Sequence, residues 1–513
     1  MLHTWTGRPA WKEVDLAALR YNVALIRRHV APVAVMAAIK ADAYGHGAIP
    51  VARAVLAAGA AGLAVATVEE AVELRENDIS APILNLGWVA PEQIELALRH
   101  DVQLTVFDYE NAVQISAVAA RRGISAVIHI KVDTGLTRLG FNYRPAAMAE
   151  AKLVYALPGL YVEGVFSHFA DADAVDPGYT AQQIERYHAF VAALQAAGLP
   201  APVRHLANSP GTLGVPASYL DMVRPGLILF GCYPAEHMRP LLPLKLVMRV
   251  IARIAQIHTL PAGDYVGYGC RWQAQRESRI ATLPLGYADG LPRLAGNKAD
   301  VLIHGQRARM VGSVCMDQIM VDITDIPAAK AGDEAVIVGQ QGEEMITPEE
   351  LAAHAQTISD EICTRFGQRL PRVFLDTDFS RGGLSMIEKV ETKYSAANTG
   401  HYSPAIKYNG ILFISGQLSV DPETGQAAPG GIKAEARQAL KNLELVLHSA
   451  HVTKNDVLQC RVYIPDIAYW EELNEVYAEF FGAHKPARAV IPCGQLHGGC
   501  LVEIEAIAAC GEE

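Results

Sequence analysis

The sequence has 513 residues, too many for one ordinary domain and enough for about three. Apolar residues make up 51% and charged residues 19%, a balance that supports large buried cores and excludes a disordered chain. A formal net charge of −11, without a clustered basic segment to follow a phosphate backbone, argues against nucleic acid as a partner. The first residues hold no apolar run of the secretory kind. Apolar runs elsewhere are broken by charge, Gly or Pro, so no membrane span is expected. The eight cysteines form no C-x-x-C pair and read as reduced thiols of a cytoplasmic protein.

Through the first 230 or so residues, apolar runs at 33–39, 62–66, 83–86, 103–106, 126–131, 162–166, 203–206 and 222–225 alternate with amphipathic stretches such as 48–58, 69–76, 110–121 and 179–197. Eight strand signals with helices between them predict an α/β fold built as a parallel β/α barrel. A doubly wound open sheet is the alternative and ordinarily needs fewer strands. After Pro243 the runs 247–257, 279–284, 301–303, 320–323 and 334–338 are separated by Gly, Pro and Asp turns. They predict a smaller, mostly β domain that ends with a helical signal at 348–366 and a strand at 372–375. Residues 378–392, with Ser-Arg-Gly-Gly, read as a linker. Strand 411–415, helix 431–450, strand 457–464, helix 470–481 and strands 487–491 and 501–508 then form an α+β unit. The expected domains are 1–240, 241–380 and 392–513, with 381–391 as linker.

In a β/α barrel the reactive side chains sit where strands end. Lys40 ends the first apolar run. Such a lysine either reaches solvent at the barrel mouth or is a desolvated amine of lowered pKa that forms a Schiff base. The segment Lys40-Ala41-Asp42-Ala43-Tyr44-Gly45-His46-Gly47 resembles the cofactor lysine segment of the alanine racemase family. Further matches follow in order: Lys131-Val132-Asp133-Thr134-Gly135, Ser167-His168-Phe169-Ala170, Ala207-Asn208-Ser209, Arg224-Pro225-Gly226, Gly267-Tyr268-Gly269, Gly286-Tyr287-Ala288-Asp289-Gly290 and Val314-Cys315-Met316-Asp317. The resemblance runs from about residue 11 to 375.

It implies a (β/α)8 TIM barrel with pyridoxal 5′-phosphate held by Lys40. Tyr44, His168, Asn208, Ser209, Arg224, Gly226 and Leu227 would surround the cofactor. Arg224 would face the pyridine nitrogen. A guanidinium does not give up its proton, so the ring stays a weak electron sink and reprotonation at Cα is favoured over aminotransfer. Racemisation needs a base on each face of Cα. The resemblance assigns Lys40 to one face and Tyr268, from the second domain of a partner subunit, to the other. It also implies that Arg138 holds the substrate carboxylate, that Lys131 is carbamylated and orients Arg138, and that Met316 and Tyr287 border the substrate pocket. No metal is implied.

Two positions depart from the family. Thr137 stands where Gly is usual, just before Arg138. Gln368 stands where a tyrosine is frequent, which opens room and makes serine a second candidate substrate beside alanine. A pyridoxal phosphate decarboxylase would typically carry an acidic partner for the ring nitrogen, against Arg224. A non-catalytic carrier would be a barrel alone, whereas this chain has a second domain with Tyr268.

Residues 388–510 resemble the RidA family of imine and enamine deaminases through Gly400-His401-Tyr402-Ser403-Pro404-Ala405, Ser415-Gly416-Gln417, Asn442-Leu443-Glu444, Asn474-Glu475-Val476-Tyr477, Pro486-Ala487-Arg488 and Val502-Glu503-Ile504-Glu505-Ala506. This implies a chorismate-mutase-like α+β domain. Arg488 would clamp a carboxylate, Glu503 would position the hydrolytic water, and Tyr402, Ser415 and Asn474 would stand near the cleft. Apolar Ala489 and Val490 replace the family's hydroxyl and thiol side chains, so a working deaminase and a trimerisation or ligand-sensing module both stay open. Serine losing its β-hydroxyl would release 2-aminoacrylate, which a tethered deaminase meets at raised local concentration. Racemase dimers and RidA trimers in one chain can close as a D3 hexamer.

Overall fold

The computed structural model describes residues 7–375, 388–394, 400–408 and 410–510. The chain divides into two compact units, 1–375 and 376–513.

In the first unit, the strands Ala34–Ala38, Gly62–Val65, Ile83–Asn85, Gln103–Val106, Ala126–Asp133, Leu160–Phe166, Val203–His205 and Met222–Val223 each pair in parallel with the next. Met222–Val223 also pairs with Ala34–Ala38, which closes the barrel and rules out the open sheet. These strands are buried on both faces, and that is why they read as continuous apolar runs. The helices between them carry local start signals. Thr67 and Glu70 form a reciprocal capping box at Val68–Glu76, and the Asp108 carboxylate accepts from Asn111 N at the start of Tyr109–Arg122. Leu16–Val30, Pro91–Arg99 and Pro145–Leu153 are further helices of this unit.

The strands after the barrel form a sheet in the order Gln256–Leu260, Ser278–Leu283, Ile319–Asp322, Gln306–Val311, Asp300–Ile303, Glu334–Gln341, Met248–Arg253, Ala10–Asp15, Arg372–Leu375. Ala10–Asp15, which the expected domain boundaries grouped with the barrel, thus belongs to the β sheet. It pairs antiparallel with Met248–Arg253 and parallel with Arg372–Leu375. One apolar core runs from this sheet into the barrel wall.

The second unit is a six-stranded sheet in the order Glu388–Val390, Ala405–Tyr408, Ile411–Leu418, Glu503–Ala509, Val457–Ile464, Ala487–Pro492. Helices Ile432–Ser449 and Trp470–Phe481 pack on the face that carries Ile504, Ala506 and Ala508. Of the expected linker, 381–387 lies outside the described residues, and Glu388–Val390 is a strand paired with Ala405–Tyr408.

Candidate active site

Lys40 opens a short helix, Lys40–Tyr44, directly after the first barrel strand. Ala41, Asp42, Ala43 and Tyr44 all have φ between 52° and 54°, so the turn is left-handed. A left-handed residue with a side chain costs roughly 1–2 kcal/mol, so four of them need outside support. Ala41 N donates to Glu70 Oε1 at 2.6 Å, and Asp42 Oδ1 accepts from Ala48 N at 2.8 Å. The Arg372 guanidinium is ion-paired with the Asp42 carboxylate, and Lys12 donates to the Gly45 carbonyl. Gly45 ends the turn at φ 78°, and a Cβ there would meet the Cys363 carbonyl oxygen at 2.5 Å.

A cavity of about 690 Å³ opens at Lys40. Its walls include Tyr44, His168, Asn208, Ser209, Arg224, Gly226 and Leu227, the residues named from the sequence as the cofactor set, together with Asp173 and Asp360, which the motifs did not single out. Burial, then the Arg138 charge, lowers the Lys40 amine below the ordinary lysine value, while Asp360 and Glu70 oppose this. Arg138 itself is exposed and is not among the residues that line this cavity. Thr137, just before it, has φ 57°, a backbone state that glycine adopts freely and a β-branched residue resists. Lys131 is buried against the Phe166 ring at 5.1 Å, and burial with the Arg224 and Arg138 charges drives its amine far below the usual range.

Behind the cavity lies a polar chain that sequence reasoning missed. Arg224 Nη1 donates to His205 Nδ1 at 2.7 Å, and Nη2 donates to the Ser167 carbonyl at 2.6 Å. His205 Nε2 and His129 Nδ1 are 2.9 Å apart, and His129 Nε2 is 3.2 Å from Gln103 Oε1. With Arg224 as donor at one end and a carbonyl-type acceptor at the other, both imidazoles carry their proton on Nε2, and every donation runs the same way. Burial and the Arg224 charge hold His129 at about 3 and push His205 well down, so both rings are neutral. His168 is depressed by the same causes. Arg224, lowered by burial to about 10, stays protonated at neutral pH. Part of the signal was present: His129 stands among the apolar residues of the run 126–130.

Tyr268, Tyr287 and Met316 border a separate cavity of about 570 Å³ in the β sheet region, with Arg293 beside them. Tyr268 is 73% exposed and Met316 53%. One chain therefore does not bring Tyr268 to Lys40. Gln368 is exposed between buried Phe366 and Leu370 and borders neither cavity.

In the second unit Arg488 Nη2 donates to Asn474 Oδ1 at 2.9 Å, and its guanidinium lies 4.5 Å from the Tyr477 ring centre. Ser415 Oγ donates to the Ser403 carbonyl at 2.8 Å. Tyr402 is exposed and borders a further cavity with Gly416, Gln417 and His497. Glu503 packs over the bare Cα of Gly416, and burial with the Glu505 charge raises its carboxyl. Arg488 and Ala506 both pair with Cys460, whereas Glu503 pairs with Tyr463. Side chains alternate along a strand, so Arg488 and Glu503 face opposite sides of the sheet. The expected clamp and water-positioning groups are thus not joined within one chain.

Comparison with known proteins bears on the first unit directly. An alanine racemase of Desulforamulus reducens is 46% identical over 369 residues, which is 72% of this chain and 99% of the relative. The chain belongs to the alanine racemase family. Residues 14–234 match the model described as alanine racemase, N-terminal domain, and 247–374 match alanine racemase, C-terminal domain. An alanine racemase of Desulfovibrio desulfuricans is 42% identical over 370 residues, 72% of this chain and 99% of the relative. The crystal structure of alanine racemase from Streptomyces lavendulae, a D-cycloserine producer, superimposes with a TM-score of 0.70 at 39% identity, covering 74% of this chain and 99% of that one. Residues 392–510 match the model described as endoribonuclease L-PSP, which is the RidA family. Among the described residues no helix is long and apolar enough to cross a membrane.

The family implies pyridoxal phosphate, and the residues fit it. A Cβ on Gly226 would stand 2.3 Å from Tyr44 Oη, so bare backbone lies against a phenol there. Ser209 Oγ, 2.9 Å from Gly226 N, adds a hydroxyl to the same cradle. Lys40 supplies an amine kept partly desolvated, and Arg224 a fixed cation across the cavity.

Proposed function

We propose that this chain is a pyridoxal phosphate-dependent racemase that interconverts L- and D-alanine. The observation that carries the reading is the gathering of Lys40, Tyr44, His168, Asn208, Ser209, Arg224, Gly226 and Leu227 around one cavity. Lys40 would hold the cofactor, with Tyr44, Ser209, Asn208 and the Gly226–Leu227 backbone at its phosphate. Bound there, the cofactor supplies an electron-withdrawing ring that makes the substrate Cα–H acidic.

The chain's own groups do the rest. Arg224, oriented by His205 and Ser167, donates toward the ring nitrogen and keeps it unprotonated. Neutral His168 stands beside it. Arg138 binds the substrate carboxylate. The Lys131 amine, lowered by burial and by the Arg224 and Arg138 charges, is suited to carbamylation, which would turn it into an anion that orients Arg138. Lys40 moves the proton on one face of Cα. Tyr268 of a partner subunit moves it on the other, with that subunit's Tyr287 and Met316 at the pocket entrance. The high exposure of Tyr268 and Met316 in one chain supports such a shared site. Arg293 borders the same cavity as Tyr268.

A second reading is serine or dual alanine and serine racemisation; it rests on the departure from the family's tyrosine at Gln368, which borders neither cavity within one chain. The second unit would then hydrolyse the 2-aminoacrylate lost from serine, with Arg488 and Tyr402 taking its carboxylate end and Glu503 the water, each cleft closed by a neighbouring copy in a hexamer. We place the protein in the cytoplasm, with the domain bounds 1–240, 241–380 and 392–513 adjusted so that Ala10–Asp15 joins the β domain and Glu388–Val390 the second unit.

The test is Lys40→Ala, incubated with each L-amino acid in D2O while chirality, deuterium at Cα and keto acid are scored. Loss of the visible cofactor band and of racemisation is expected. If both persist, the reading is wrong. Release of keto acid from serine that is the same in Arg488→Ala as in the intact chain would remove the role given to the second unit.

A further inference from the structure

We propose that Lys12 is a positioning residue for Lys40: its single amine caps the C-terminal ends of two short helices whose opposite ends frame the cofactor cavity, and so holds Lys40 in the cavity wall. The inference rests on reading Lys40 as the functional amine.

The first helix is the left-handed turn Lys40–Tyr44, capped by Gly45. The second is Ser359–Arg365, capped by Phe366. Lys40 begins the one; Ser359 and Asp360 begin the other, and all three border the same cavity. At their far ends the two helices converge. Lys12 Nζ donates to the Gly45 carbonyl and to the Phe366 carbonyl. Terminal carbonyls of a helix lack partners within it, and a cation suits them. Lys12 is 0% exposed, so no water substitutes for it.

The amine reaches this place from the β sheet. Lys12 lies in Ala10–Asp15 and is the register partner of Arg372. The two cations hold the left-handed turn at different points. Arg372 takes the Asp42 carboxylate in its middle, and Lys12 takes the Gly45 carbonyl at its end. Between the helices there is no room for a side chain, because a Cβ on Gly45 would strike the Cys363 carbonyl oxygen. The link is thus backbone to amine to backbone. Charged and titratable groups facing the Lys12 amine are Arg372, Asp42, Cys363 and His46. Burial and Arg372 lower it to about 7, which marks a site built at some expense for this contact.

Without the amine, both carbonyls lose their donor and the left-handed turn loses its end restraint. Lys40 then moves toward water, which relieves the burial that is the largest cause of its lowered amine and favours the protonated form.

The test needs no turnover. Full-length chain, stripped of cofactor, is labelled with trace acetic anhydride from about pH 6 to 11, and acetylation of Lys40 is followed by peptide mass spectrometry. Three forms are compared: the unaltered chain, Lys12→Met, and Lys12→Gln, which is one bond shorter but still offers two N–H donors. In Lys12→Met the Lys40 pKa rises by about one unit, so its reactivity at neutral pH falls about tenfold. Lys12→Gln recovers part of the difference. Three results overturn the proposal: Lys12→Met labelling like the unaltered chain, Lys12→Gln no better than Lys12→Met, or both variants failing to fold. The visible cofactor band, recorded on separate samples, keeps the two readings apart. Its absence from the unaltered chain refutes the racemase reading alone. Its presence with unchanged labelling refutes the Lys12 link alone.

Discussion

Four neutral histidines, three of them buried and His168 half-buried, make the first unit sensitive to acid. His46 and His129 are held at about 3 against an ordinary 6.5, mainly by burial, and His168 and His205 are depressed in the same direction. The unfolded chain therefore takes up protons first as pH falls below 6.5, and stability is lost continuously down toward pH 3. Each such histidine removes roughly 1.4 kcal/mol per pH unit in that window. At pH 5, His46 and His129 alone withdraw about 4 kcal/mol from a total that is typically ~5–15 kcal/mol. The perturbation we choose is His129→Gln, which keeps an acceptor for His205 Nε2 and a donor for Gln103 but cannot titrate. Urea unfolding is followed at pH 8 to 5, with the midpoint converted to free energy. The unaltered chain should lose stability steeply below pH 6.5, and the variant should lose about 1.4 kcal/mol less per unit. Parallel slopes in the two proteins, or a flat profile in the unaltered chain, would refute the neutral-relay assignment.

Two further outcomes are expected. Thr137→Gly, at φ 57°, should raise stability by roughly 1 kcal/mol, because the β-branched side chain leaves a strained backbone; a loss of stability in thermal melts would contradict this. Gly226→Ala places a methyl 2.3 Å from Tyr44 Oη, so affinity for pyridoxal phosphate should fall at least tenfold while the fold survives; equilibrium dialysis showing unchanged affinity would count against the cradle.

Much of the barrel was legible because its strands are buried on both faces. Runs such as Gly62–Val65 and Gln103–Val106 need no partner information to be recognised. Ala10–Asp15 was not legible, because Lys12 and Glu13 interrupt it and its burial comes from residues more than two hundred positions away. The left-handed turn after Lys40 was equally hidden. Alanine favours right-handed helix, and only tertiary contacts from Glu70, Arg372 and Lys12 reverse its hand. The cofactor set could be named because its residues lie in motifs that resemble the alanine racemase family, and the structure gathers them around one cavity. The division between the Lys40 and Tyr268 cavities, and the opposite faces of Arg488 and Glu503, depend on register and strand parity, which motifs do not carry.

The pairing of Lys12 with Arg372 also sets a timetable for synthesis. The turn that presents Lys40 emerges from the ribosome early, together with Lys12 and Glu70, but the Arg372 that takes its Asp42 and the Phe366 carbonyl that anchors Lys12 lie beyond residue 358. Until then the turn lacks part of its clasp. Capture of the family's pyridoxal phosphate would therefore be a late event that waits for nearly the whole first unit to be made. A chain truncated before Arg372 should leave the ribosome colourless.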